Sequence, residues 1–138
     1  MSMYCSIQTQ FKHLPALIAS LQETKNWTKE QIEIHAEPQT LYGHHGDARK
    51  EDAHIIIRRK NIGSASNDIG FLRNPDGTYQ AIISEYDKRQ GYGDKFIAQL
   101  KQNYAYHTIK SQQELRGRSV HREKFKNGKQ RITISNLR

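Results

Sequence analysis

Three carboxylates, Asp68, Glu85 and Asp87, stand where the chain can bring them together. The apolar runs "DIGFLRN" and "TYQAIIS" flank Asn74-Pro75-Asp76-Gly77. Pro presets φ and Gly accepts a left-handed backbone, so this stretch predicts a β-hairpin. Asp68 opens one arm, and Glu85 and Asp87 end the other. Carboxylates grouped at one sheet end can hold Mg²⁺ for phosphoryl or phosphodiester chemistry, which would make the chain a metal-dependent nuclease or phosphodiesterase. His107, in "NYAYH" just after Tyr104 and Tyr106, joins this alternative catalytic set as a general base. The competing expectation is neutralisation by Arg58, Arg59, Lys88 and Arg89, the common fate of carboxylates beside arginines. Under it no residue is catalytic, and this is the expectation preferred here.

A second constellation is "YGHHGDARKEDAH", with His44, His45, Asp47 and His54 in a Gly-flanked loop. Imidazole and carboxylate together suit zinc, manganese or iron. No HExxH or HxH pattern completes such a site, and the lone Cys5 leaves no CxxC pair. No metal and no cofactor are therefore expected. The small polar run "GSASND" can form a nest of backbone N–H groups for an anion, against the simpler alternative of a loop in which Ser66 or Asn67 bonds its own backbone.

Charge carries the strongest signal. The formal net charge is +8, and the segment from Arg116 to Arg138 holds eight Lys and Arg residues against the single acid Glu123. Arg116, Arg118, Arg122, Lys124, Lys126, Lys129 and Arg131, together with Arg58, Arg59 and Lys60, are the candidate contacts to an anionic partner. Binding through them would depend strongly on salt. The alternative is a solvated hairpin whose charges keep an edge strand from aggregating. Tyr106, opposite the apolar stripe of its helix, is a candidate surface for stacking a base. An RNA-binding sheet platform is not expected, because only Phe71 and Tyr79 offer aromatics on the central strands.

The elements that must position these groups follow from periodicity. Residues Met3 to Phe11 alternate as a strand, and "HLPALIASLQET" puts Leu14, Leu17, Ile18 and Leu21 at helical spacing, with Pro15 in the first turn. Ile32 and Ile34 begin a strand that Pro38 interrupts or confines to an edge. "AHIIIRRK" reads as a central strand. A long amphipathic helix runs from Asp94, its expected N-cap, to Gly117. The tail forms a second hairpin, its Asn127-Gly128 favouring a tight primed turn. The order is β-α-β-β-β-β-α-β-β, which fits an α+β fold: an antiparallel sheet with two helices on one face, ferredoxin-like or a similar sandwich.

The chain, 138 residues long and 35% hydrophobic, is expected to form a single domain over 1–138. No apolar stretch approaches the roughly 18 residues of a membrane span. The expected location is cytoplasmic, or the stroma or matrix if organelle-encoded. A homodimer through an exposed hairpin edge is compatible with this plan.

"RRKNIGSASNDIGF", "YQAIISEYDKR" and "QNYAYHTIK" resemble the domain-of-unknown-function family twelve fifty-seven, which includes the conserved plastid reading frame thirty-five and its cyanobacterial, bacterial and phage relatives. "SIQTQFKHLPALIASLQE" and "LYGHHGDARKEDAHIIIRRK" extend the resemblance over nearly the whole chain. The resemblance implies no reaction, cofactor or catalytic residue. It does imply a small intracellular protein that in some genomes neighbours an AAA-type ATPase, hence an accessory role in such an ATPase or a host assembly. Together, charge and family favour a small basic non-catalytic binding or adaptor module engaging nucleic acid or the acidic surface of a protein complex.

Overall fold

The β-branched run Ile55-Ile56-Ile57 is fully buried at all three positions, because its strand is covered on both faces. The structure, a computed structural model, describes residues 2–136. Five strands, β1 (Tyr4–Gln8), β2 (Glu33–Tyr42), β3 (Ala48–Ile57), β4 (Ile69–Arg73) and β5 (Tyr79–Ser84), form one sheet in the order β1-β5-β4-β3-β2. Every neighbouring pair is antiparallel. Helices α1 (Leu14–Lys25) and α3 (Asp94–Glu114) are joined to the sheet by loops and by the single turn α2 (Glu85–Asp87). The expected α+β class and element order are therefore found.

Alternation on the strands decides which side chains meet the helices. Ile55, Ile57, Ile69, Phe71, Ala81 and Ile83 point to one face, where they pack with Leu17, Leu21, Phe96, Ile97 and Leu100. Each such large side chain contributes about 1.5–3 kcal/mol by leaving water. Ile56 and Ile82 point the other way and pack with Leu41 and Ala53. Along β2 the pairing with β3 breaks register between Ile34 and Gln39, and again between Thr40 and Tyr42. The first break spans Pro38, whose missing N–H cannot join a ladder. A β-carbon built on Gly70 would lie 2.5 Å from the Ala53 β-carbon and 3.1 Å from Leu41, so only glycine lets this second layer close over β4.

The last two strands, β6 (Arg118–Lys124) and β7 (Gln130–Asn136), stay out of the main sheet and form their own antiparallel pair against α3. Their turn differs from expectation. Phe125 N–H donates to Lys129 O at 2.9 Å and Gly128 N–H to Phe125 O at 3.1 Å. Gly128 alone takes positive φ, at 86°, so a three-residue loop with its glycine at the bulge replaces the two-residue primed turn. The same pattern closes the Asn74–Thr78 turn, where Gly77 has φ 89°. Asp94 also shifts by one place: the N-cap of α3 is Gly93, without a side-chain cap, and Asp94 is the first helical residue. Among the described residues no helix is long and apolar enough to cross a membrane.

Candidate functional site

The β4–β5 hairpin brings the ends of its arms together as the sequence predicts, but the three carboxylates do not form one site. Asp68 is 1% exposed. Its Oδ2 accepts from Tyr42 N–H at 2.8 Å and Arg58 Nη1 at 2.9 Å, and its Oδ1 accepts from Arg59 N–H at 2.8 Å. Both oxygens thus tie β2 and the end of β3 to the start of β4. Asp87 is fully buried, and its Oδ2 accepts from Asn67 N–H at 3.0 Å and Ser84 Oγ at 2.8 Å. Its Oδ1 has no hydrogen-bond partner among the described residues. Glu85 leaves this pair altogether: it accepts from Cys5 Sγ and lies 3.9 Å from Lys88 Nζ. The Glu85 hydrogen bond, then burial, push the Cys5 thiol up, away from a reactive thiolate. His107 belongs elsewhere, on α3 beside Glu23.

Arg58 takes the neutralising part that the preferred expectation assigns it. Its Nε and Nη2 grip both oxygens of Glu33 at 2.9 and 3.0 Å, and Nη1 also reaches Thr40 O at 3.0 Å. The paired guanidinium holds the Glu33 carboxyl below its usual range. Arg59 donates to Ser66 O and Ser64 O, both at 3.1 Å. Lys60 is exposed. "GSASND" does not bond its own backbone through Asn67. That side chain instead links two other segments, accepting from His44 N–H at 2.9 Å and donating to Ser84 Oγ at 2.9 Å.

The histidine set also divides. The His44 and His45 rings lie 4.4 Å apart and share a cleft with Asp47. His54 sits on β3, where Nδ1 accepts from Arg73 N–H at 3.0 Å. Burial, then the Arg73 charge, lower the His54 pKa. Among the described residues no group of three or more His, Cys, Asp or Glu side chains is arranged to hold a metal ion.

The basic tail is corrected most. Residues paired across an antiparallel ladder share a face, so Arg118, Val120, Arg122 and Lys124 lie together with Gln130, Ile132 and Ile134. This is the face toward α3. Arg122 Nη2 and Lys124 Nζ both donate to Glu23 Oε2, at 2.8 and 2.9 Å, and His107 Nε2 lies 2.8 Å from Glu23 Oε1. Burial alone would raise the Glu23 carboxyl, but hydrogen bonds from Lys124, Arg122 and His107 bring it down to about 2. Arg122 also stacks 3.7 Å above the Tyr106 ring, so Tyr106 does not present an open stacking surface. Arg122 and Lys124 are therefore docking groups that hold the hairpin to α1 and α3, and the tail charges do not form one outward surface. Arg118 donates to Gln113, and Arg131 lies 3.6 Å from Glu123 on the other face. Arg116, Lys126 and Lys129 are exposed without an acidic partner among the described residues. Arg138 lies outside those residues. Lys126 and Lys129 flank the hairpin turn beside Phe125, which is 38% exposed.

Sequence reasoning passed over Glu23, Arg49 and Phe125. No local pattern marks Glu23, because its partners are 84 to 101 residues away. Arg49 looks like one more charge in a polar strand. Phe125 carried a signal, an aromatic set within a basic run.

Fold and clusters together define a small α+β protein with a buried polar junction at one sheet end and a cationic hairpin clasped to its helices. The chain belongs to the family described as "Protein of unknown function (DUF1257)", whose model matches residues 28–133. No curated protein and no solved structure matches it.

Proposed function

We propose that this protein is a small non-catalytic binding module for an anionic macromolecule, with the tip of the β6–β7 hairpin as its contact. The observation that carries this is the separation of the tail cations into two sets. Arg122 and Lys124 are spent on Glu23, whereas Lys126 and Lys129 stand exposed on either side of the turn. Phe125 is partly exposed beside them, with the Arg131 guanidinium 5.4 Å from its ring. Exposed ammonium groups next to an aromatic ring suit a single-stranded nucleic acid, where phosphates meet the cations and a base stacks on the ring. The overall charge of +8 favours the same encounter.

The test is fluorescence anisotropy with a single-stranded RNA oligonucleotide at two salt concentrations. The pair K126E/K129E should weaken binding by roughly tenfold or more and lower the salt slope by about 0.7 for each lost phosphate contact. F125A should weaken it further, by about 1–3 kcal/mol if one base stacks there. Unchanged affinity and slope in K126E/K129E would overturn the proposal. An acidic polypeptide that binds through the same lysines where RNA does not would move it to an acidic protein surface.

A further inference from the structure

A cleft of about 240 Å³ opens beside the polar junction, away from the hairpin tip, and is lined by Ser2, His44, His45, Arg49, Asn67 and Tyr86, with Asp47 at its side. Four segments are pinned around it. Tyr86 N–H donates to Ser2 Oγ at 2.8 Å, Arg49 Nη2 to Ser2 O at 2.6 Å, and His44 N–H to Asn67 Oδ1 at 2.9 Å. Asn67 is itself fixed from behind through its N–H bond to the buried Asp87. The walls are therefore preorganised.

Basic side chains outnumber acids in this lining. Arg49 is 11% exposed at its side chain and lies 4.8 Å from the Tyr4 ring, its Nε is 3.9 Å from Asp47, and its Nη1 is buried with no hydrogen-bond partner among the described residues. A guanidinium cannot shed its proton, so Arg49 keeps its full positive charge in the wall of the cleft, met only by one carboxylate at 3.9 Å. His44 and His45 add two imidazoles, with the Arg59 guanidinium 3.5 Å behind His44. Asp47 is the one acid in the lining, and its approach to Arg49 is at Nε.

We infer that this cleft is a binding site for a small oxyanion of the phosphate class, held by Arg49 with His44 and His45 over it. The volume is near the lower bound of about 300 Å³ for small-molecule pockets, enough for a phosphate with a modest organic substituent. The inference stands apart from the hairpin tip and from the macromolecular partner.

Inorganic phosphate, titrated into the full-length protein against chloride at matched ionic strength, tests it by NMR of the Arg49 Nε–H and Asn67 side-chain amide. Saturable shifts specific to phosphate are expected. R49Q should weaken the affinity about tenfold, the usual effect of losing a hydrogen bond to a charged group, while K101Q on the exposed side of α3 leaves it unchanged. A nucleoside 5′-monophosphate added in parallel tells a free ion from a phosphate carried on a larger ligand. The assignment is overturned if phosphate gives no saturable shift, or if folded R49Q binds as the parent does. Should R49Q fail to fold, H45Q decides, since its imidazole is exposed, and unchanged affinity there is equally fatal.

Discussion

Asp68 and Glu23 are both carboxylates that gather arginine, yet they work on different parts of the chain. Asp68 is 1% exposed and accepts from two backbone N–H groups as well as from Arg58. Glu23 is 27% exposed at its side chain, and its three partners Arg122, Lys124 and His107 are all side chains. The partners of Asp68 lie 9 to 26 residues away, and those of Glu23 lie 84 to 101 away. A carboxylate that satisfies backbone donors fixes where strands run. One that meets only side chains fastens a finished element onto another. The first is part of the fold, and the second is a clasp.

The largest expected effect is at Asp68. D68A leaves the N–H groups of Tyr42 and Arg59 without acceptors and removes one of the two acidic partners of Arg58. Breaking a buried pair in this way costs about 3–5 kcal/mol. Urea unfolding measures it, and a loss below about 1 kcal/mol would place Asp68 with the surface ion pairs. G70A probes the same region without touching charge. The new methyl group would meet Ala53 at 2.5 Å, and overpacking of this kind costs about 1–3 kcal/mol.

A smaller loss is expected at Glu23. E23Q keeps two hydrogen-bonding atoms but gives up the charge that Arg122, Lys124 and His107 share. Discounted for solvent screening, the cost is about 1–2 kcal/mol. Its pH dependence separates the two regions further. The folded-state pKa, about 2, lies below the ordinary 4.5. The contribution of Glu23 is then complete above the unfolded value and fades as pH falls from there toward the folded one. The stability difference between parent and E23Q should shrink over that window in an acid series of urea curves. A gap that stays constant down to the folded-state pKa would mean that Glu23 acts through packing rather than charge.

How far these regions could be read in advance follows the same division. The β4–β5 hairpin was legible because Asn74-Pro75-Asp76-Gly77 separates two apolar runs, and Arg58 beside Asp68 was legible because ten residues separate them. The backbone donors to Asp68 were not, since they depend on where the bulged β2 strand lays Tyr42. Gly70 was equally silent: a glycine in a strand announces close approach, but not by what. At the tail the information was present in another form. Period-two alternation puts Arg122 on the face of Val120 and Ile132, so the apolar neighbours already marked that arginine as inward. Counting charges along the tail hides this, because a sum has no faces.

Within the clasp, Arg122 and Lys124 share Glu23 but differ in what else holds them. Both also donate to Asn103 Oδ1, at 3.1 and 3.2 Å, but Arg122 is 16% exposed at its side chain and stacks on Tyr106, whereas Lys124 is 50% exposed. Lysine in place of Arg122 keeps the charge but loses the planar fork and the stack, which costs about 0.5–1 kcal/mol. K124A removes a solvated ammonium and should change stability by less than about 0.5 kcal/mol. The order R122K above K124A is the sharper test, because it pits a substitution that conserves charge against one that deletes it. If K124A proved the costlier, the hairpin would be held by electrostatics summed over the Glu23 cluster, and the stacked arginine would be incidental to it.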